Sequence, residues 1–150
     1  KDDGTIELWS SDFARQTAQP LMHGRRAVAL GFGPEGNRLA SSGRDGEEGT
    51  VRLWVVVSGA LLHGPQSIGE PTAFGQESVT FLPQGTGVVI AGVGDRVYAW
   101  TPYDTTRPLH RLAHEGPAWH AATDPEGRIL ATSGQDGTVR LWDTRSFEAV

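Results

Sequence analysis

A short motif ending in tryptophan recurs along the chain, and its period constrains the fold more than any other feature. It reads DDGTIELW at 2–9, DGEEGTVRLW at 45–54, GDRVYAW at 94–100 and DGTVRLW at 136–142. The closing residues Trp9, Trp54, Trp100 and Trp142 lie 45, 46 and 42 residues apart. A repeat of that size implies a row or ring of one small unit. Each unit buries its apolar face on its neighbours, which rules out a single irregular domain.

The last copy, His114 to Val150, gives the clearest reading. Ala118–Thr123 reads as a short buried strand. Asp124-Pro125-Glu126-Gly127 is a turn, with proline presetting φ and glycine supplying positive φ. Arg128–Ser133 is a second strand, Gln135-Asp136-Gly137 a hairpin signal, and Thr138–Trp142 a third strand. Val139 and Leu141 then face one way, Arg140 and Trp142 the other. Phe147–Val150 begins a fourth strand. No segment holds a helical apolar period over ten or more residues. The register returns elsewhere: Pro34-Glu35-Gly36 and Pro83-Gln84-Gly85 match Pro125-Glu126-Gly127, and His23, Thr72 and His114 each stand eleven residues before the turn proline.

Composition agrees with many short strands. Twenty Gly and nine Pro punctuate the chain at regular places. The absence of cysteine excludes disulfides and thiolate metal sites and fits a cytoplasmic setting. A net charge of −5 argues against nucleic acid as partner, and no apolar run approaches the roughly 18 residues of a membrane helix.

With four copies of the motif and three matching turns in register, the chain resembles the WD-repeat β-propeller family, bacterial-type members included. The resemblance covers essentially the whole chain. It implies an all-β fold of four-stranded antiparallel blades set around a channel. The units would run 1–22 (a half blade), 23–71, 72–113 (a degenerate blade) and 114–150. Because propellers close with roughly four to eight blades, this ring is incomplete. The remaining blades would come from the same longer chain or from another copy. The family's buried hydrogen-bonded set falls on His114, Thr132, Asp136 and Trp142, and again on His23, Ser41, Asp45 and Trp54. The third unit departs from it. Thr72 replaces histidine, Ile90 or Ala91 the hydroxyl, and Asp95 is displaced by one place, so apolar packing through Val88, Val89, Ile90 and Val97 is expected to hold that blade.

Several patterns mimic chemistry. Gly31-Phe32-Gly33-Pro34-Glu35-Gly36 fits a dinucleotide fingerprint, but strand continues after it where a helix is needed. His110, His114 and His120 are expected on different strands, so no metal site is predicted. The Asp-Gly pairs lack the remaining calcium ligands. No nucleophile elbow is present, and the Ser or Thr, His and Asp of each good unit read as buried structural groups. No catalytic residue and no cofactor is therefore predicted.

The resemblance places partner contacts near the start of each first strand and just before the hairpin aspartate. These positions are Arg26, Val28 and Arg44 in the second unit, Glu77 and Val93 in the third, Pro117, Trp119 and Gln135 in the fourth, and Asp2 in the first. Trp119 is the leading candidate, since tryptophan buries a large area with few rotors. Arg26 and Arg44 form a cationic patch suited to an acidic or phosphorylated peptide. The expected function is a scaffold that binds a protein or peptide, without membrane or nucleic-acid partners. The alternative is a propeller that recognises a small molecule or sugar, for which only Trp119 supplies an aromatic at the right place.

Overall fold

The structure is a computed structural model that describes residues 3–14, 19–69, 78–93, 96–106 and 109–150. These form four antiparallel sheets and no α-helix. Thr5–Ile6 (β1) pairs with Leu21–Met22 (β2). Arg26–Phe32 (β3), Arg38–Asp45 (β4), Glu48–Val55 (β5) and Leu61–Gly69 (β6) make a four-stranded meander. Ser78–Phe81 (β7), Val88–Val93 (β8), Arg96–Trp100 (β9) and Leu109–Ala113 (β10) make a second. Ala118–Thr123 (β11), Ile129–Gly134 (β12) and Val139–Asp143 (β13) make the last sheet. The first strands β3, β7 and β11 neighbour one another in turn, so the sheets are arrayed about one inner edge. The array is that of propeller blades, and the ring is not closed.

The local chemistry of the turns explains the repeated register. Gly36, Gly85 and Gly127 donate their backbone N–H to Gly33, Leu82 and Asp124, three residues back in each case. All three adopt φ between +66° and +68°, the left-handed region that glycine enters without steric cost. After each turn the chain resumes as strand. Arg38–Asp45 is thus extended where a dinucleotide fingerprint would need a helix.

Period-two alternation then packs the sheets face to face. Leu39 and Trp54 meet Ile6, Leu8 and Leu21 from the first sheet. Ala40, Val51, Leu53 and Ile68 meet Val88, Ile90, Tyr98 and Trp100. Val89, Ala91, Val97, Ala99 and Leu112 meet Ala118, Leu130, Trp142 and Phe147. The sheet at 78–113 is therefore apolar on both faces, and Val88, Val89, Ile90 and Val97 are fully buried. Arg38 bridges two sheets, donating to the Gly85 carbonyl at 3.1 Å with its guanidinium over the Tyr103 ring.

One expectation for the last sheet needs correction. β11 is a strand, but only Ala118 is fully buried; His120 and Ala122 are exposed because no described residue covers the outer face of this sheet, and Trp119 is exposed at a break in the strand register. Within Phe147–Val150 a fourth strand begins, as expected, with an antiparallel bridge from Ala149 to Trp142. The backbone N–H groups of Asp143 and Val150 donate to Glu148 and Leu141 there.

Candidate functional site

The strand starts and Asp-Gly hairpins gather at one end of the array. In the last sheet this end is tied to the core by a linked polar set. Trp142 Nε1 donates to Thr132 Oγ1 at 2.9 Å, and Thr132 Oγ1 lies 2.7 Å from His114 Nε2. His114 Nδ1 faces the Asp136 carboxylate at 3.4 Å. Because an ionised carboxylate only accepts, Nδ1 carries the ring proton, and the threonine hydroxyl donates to Nε2. Asp136 also accepts from the Thr138 hydroxyl at 2.7 Å and from the backbone N–H groups of Thr138 and Glu115. These bonds, led by the Thr138 hydroxyl, hold its carboxyl well below the usual carboxylate range. Glu115 and the hairpin are thereby fixed to the buried ring.

The sheet at 26–69 solves the same problem differently. Trp54 Nε1 donates to Ser41 Oγ at 2.8 Å, and Ser41 Oγ lies 2.6 Å from His23 Nδ1. Asp45 does not reach the ring. Its carboxylate accepts from Arg52 Nη2 at 2.7 Å, and Thr50 Oγ1 takes the other ring nitrogen at 3.2 Å. Arg52 Nη1 donates to the His23 carbonyl and to Thr50 Oγ1. The physical reason is insertion of a guanidinium: Arg52 is almost wholly buried and takes the carboxylate for itself. Sequence spacing alone does not reveal this, since Arg140 occupies the matching place in the other VRLW segment. There Arg140 donates to the Ala113 carbonyl at 2.8 Å and lies 3.6 Å from the Asp136 carboxylate, which it shares with His114 at 3.4 Å.

Replacing Thr132 by valine is expected to lower stability by about 2 kcal/mol, because the Trp142 indole N–H and a His114 ring nitrogen lose their shared buried partner. Urea denaturation of the variant checks this; a midpoint equal to that of the wild type refutes it.

Two glycines were not singled out by sequence reasoning. A β-carbon on Gly134 would lie 2.6 Å from His114 Nδ1, and one on Gly43 would lie 2.7 Å from His23 Cδ2. Each buried histidine packs directly against a glycine. The signal was present as Ser42-Gly43-Arg44-Asp45-Gly46 and Ser133-Gly134-Gln135-Asp136-Gly137, a repeated S-G-x-D-G.

Above these sets lie the partner-face positions. Arg26 stands directly opposite Arg44 in the β3–β4 ladder. In the last sheet Gln135 donates its backbone N–H to the Pro117 carbonyl at 2.7 Å. Val28 and Trp119 occupy one structural position. The β3–β4 register shifts between Ala27 and Ala29, and the β11–β12 register shifts between Ala118 and His120. Each is the extra residue of a β-bulge, a device that re-aims a side chain out of the pleat. Val28 is half-buried, whereas Trp119 is 40% exposed. Glu77, Asp2, Thr72 and Asp95 lie outside the described residues, as does the side chain of Val93.

The three histidines weighed for metal are not gathered. His114 is buried, His110 stacks near Phe147 at 4.2 Å, and His120 is exposed on β11. Among the described residues no group of three or more His, Cys, Asp or Glu is placed to hold a metal ion. No helix among them is long and apolar enough to cross a membrane.

Comparison with known proteins agrees with this geometry. The WD40 profile (WD domain, G-beta repeat) matches residues 21–55 and 106–143, so the chain contains WD40 repeats. It is 30% identical over 147 residues to Coronin-7 of Rattus norvegicus, covering 94% of this chain and 16% of that protein. It is 30% identical to Centriole proteome protein 16 of Chlamydomonas reinhardtii, covering 93% and 7%. It is 28% identical to Periodic tryptophan protein 2 of Arabidopsis thaliana, covering 95% and 15%. The chain thus spans about a sixth or less of the length of these relatives.

Proposed function

We propose that this chain is a protein-interaction scaffold, a segment of a WD-repeat propeller that takes a protein or peptide on its strand-start and hairpin end. The supporting observation is Trp119. A β-bulge turns this large aromatic outward, at the position where the sheet at 26–69 has the half-buried Val28. Beneath it the hairpin is pinned by the His114–Asp136 contact, which limits the ordering entropy a partner must supply on binding. In this reading the units run 1–22, 23–71, 72–113 and 114–150, work without a cofactor and sit in the cytoplasm.

The reading extends to the outer face of the last sheet. Gly49–Trp54 and Gly137–Trp142 have the same sequence, GTVRLW. Val51 and Leu53 are fully buried, while Val139 and Leu141 are 69% and 44% exposed. A further blade, from a longer polypeptide or a second copy, packs on that face as the sheet at 78–113 packs on Val51 and Leu53.

Trp119→Ala is expected to leave the thermal melt unchanged and to weaken partner binding by about 2 kcal/mol, roughly thirtyfold in Kd. Affinity capture with wild type and variant, followed by titration of any protein that differs, measures this. An unfolded variant, or equal affinity, overturns the reading.

A further inference from the structure

We propose that a second copy of this chain covers the outer face of the last sheet, docking the outer face of its own first sheet there, head to tail. The contact rests on the uncovered-face reading above and names the occupant.

The last sheet repeats a face whose cover is known. In the sheet at 26–69, Ala40 and Ser42 lie opposite Leu53 and Val51. Ala40, Val51 and Leu53 on this face pack against Trp100 and its neighbours. In the last sheet, Ala131 and Ser133 lie opposite Leu141 and Val139 in the same register. All four residues are identical between the two faces.

The counterpart of Trp100 stands on the other flank of the same chain. Trp9 closes the first copy of the motif as Trp100 closes the third. Ile6 and Leu8 are buried against the sheet at 26–69, so alternation turns Thr5, Glu7 and Trp9 to the opposite face. Trp9 is 56% exposed there, and Met22, paired with Thr5, is 52% exposed. Trp100 is 3% exposed against the face it covers.

The inner part of the last sheet departs from the template, and the departure favours this occupant over a complete further blade. Gly31 makes room for the neighbouring first strand, since a β-carbon there would lie 2.7 Å from the Val79 carbonyl oxygen. The last sheet has Ala122 at that place, and His120 where the other sheet has Ala29. A complete blade would drive its first strand against both. Among the described residues the first sheet consists of β1 and β2 alone. These match the third and fourth strands of the other sheets, so a second copy brings no first strand to Ala122 and His120. Four sheets from each copy place eight about one axis, within the roughly four to eight blades that close a propeller. A head-to-tail contact that closes in this way uses both flanks of each copy and stops at the dimer.

Sedimentation equilibrium of the full chain, from about 1 to about 200 μM, tests the contact. The expected species is a dimer, twice 16.1 kDa. Trp9→Ala and Leu141→Arg are each expected to weaken dimerisation at least about tenfold. Val57→Ser, at a site 80% exposed in the turn after β5, is expected to leave it unchanged. An equimolar mixture of Trp9→Ala and Leu141→Arg regains one intact interface, because the lesions fall on opposite partners of a head-to-tail contact. The mixture is therefore expected to dimerise more tightly than either variant alone. Should circular dichroism show Leu141→Arg to be unfolded, Val139→Arg places the same charge on the same face. A monomeric wild type, dimers untouched by Trp9→Ala, open-ended oligomers, or a mixture no tighter than its components overturns the inference. A monomeric wild type whose partner binding is still lost with Trp119→Ala would retain the scaffold and remove this contact. A dimer whose partner binding ignores Trp119→Ala would retain this contact and remove the partner face.

Discussion

Replacing Gly43 by alanine is expected to cost about 3 kcal/mol of stability, at the upper end for an overpacked core site. The added β-carbon would lie 2.0 Å from the Arg26 carbonyl oxygen and 2.7 and 2.9 Å from His23 Cδ2 and Nε2. Neither obstacle can swing away. The carbonyl belongs to the paired strand β3, and the ring is held on both nitrogens by Ser41 and Thr50. Relief requires the strands to part or the ring to leave its partners, and either step exposes buried polar groups. Gly46→Ala is the matched comparison. Gly46 has φ +66° with nothing within 4 Å of the added carbon. It therefore meets only the left-handed backbone penalty of about 1 kcal/mol. Urea denaturation of the two variants separates clash from conformation, and equal losses would remove the role assigned to Gly43.

That contrast also shows what a linear sequence can reveal. The four Trp-terminated copies and three Pro-x-Gly turns disclose sheets, order and register, because turn chemistry and period-two alternation are local. The same register places Val28 and Trp119 at equivalent positions before any coordinates, while the β-bulges at both emerge only from the strand pairing. What stays hidden is three-dimensional competition for one group. VRLW occurs twice, yet Arg52 draws Asp45 away from the histidine while Arg140, 3.6 Å from Asp136, leaves the His114–Asp136 contact in place. Burial is hidden for the same reason. Val51 and Val139 sit in one hexapeptide and differ only in whether a neighbouring sheet covers them.

Between pH 7 and pH 4 the chain is expected to lose about 3 kcal/mol of stability through His23 alone. His23 is fully buried, and its imidazole is pushed down to about 4, chiefly by burial and next by the Arg52 guanidinium. In the unfolded chain the same group titrates near about 6.5. Between those values the unfolded chain binds a proton that the folded chain refuses, so stability rises with pH across the window. Above about 6.5 both forms are neutral and the slope from this residue vanishes. Asp136 acts in a separate, more acidic window. Its lowered carboxyl stabilises the fold above the ordinary value of 3.8, and that contribution is lost as pH falls further. His23→Gln keeps an amide beside Ser41 and Thr50 but cannot titrate. The variant should be less stable at pH 7 yet nearly flat from pH 6.5 to 4.5, where the wild type slopes. Denaturation midpoints at half-unit pH steps give the slope, and the ring-proton NMR shift of His23 gives its midpoint directly. A midpoint near 6.5, or an undiminished slope in His23→Gln, would place the buried proton-refusing group elsewhere.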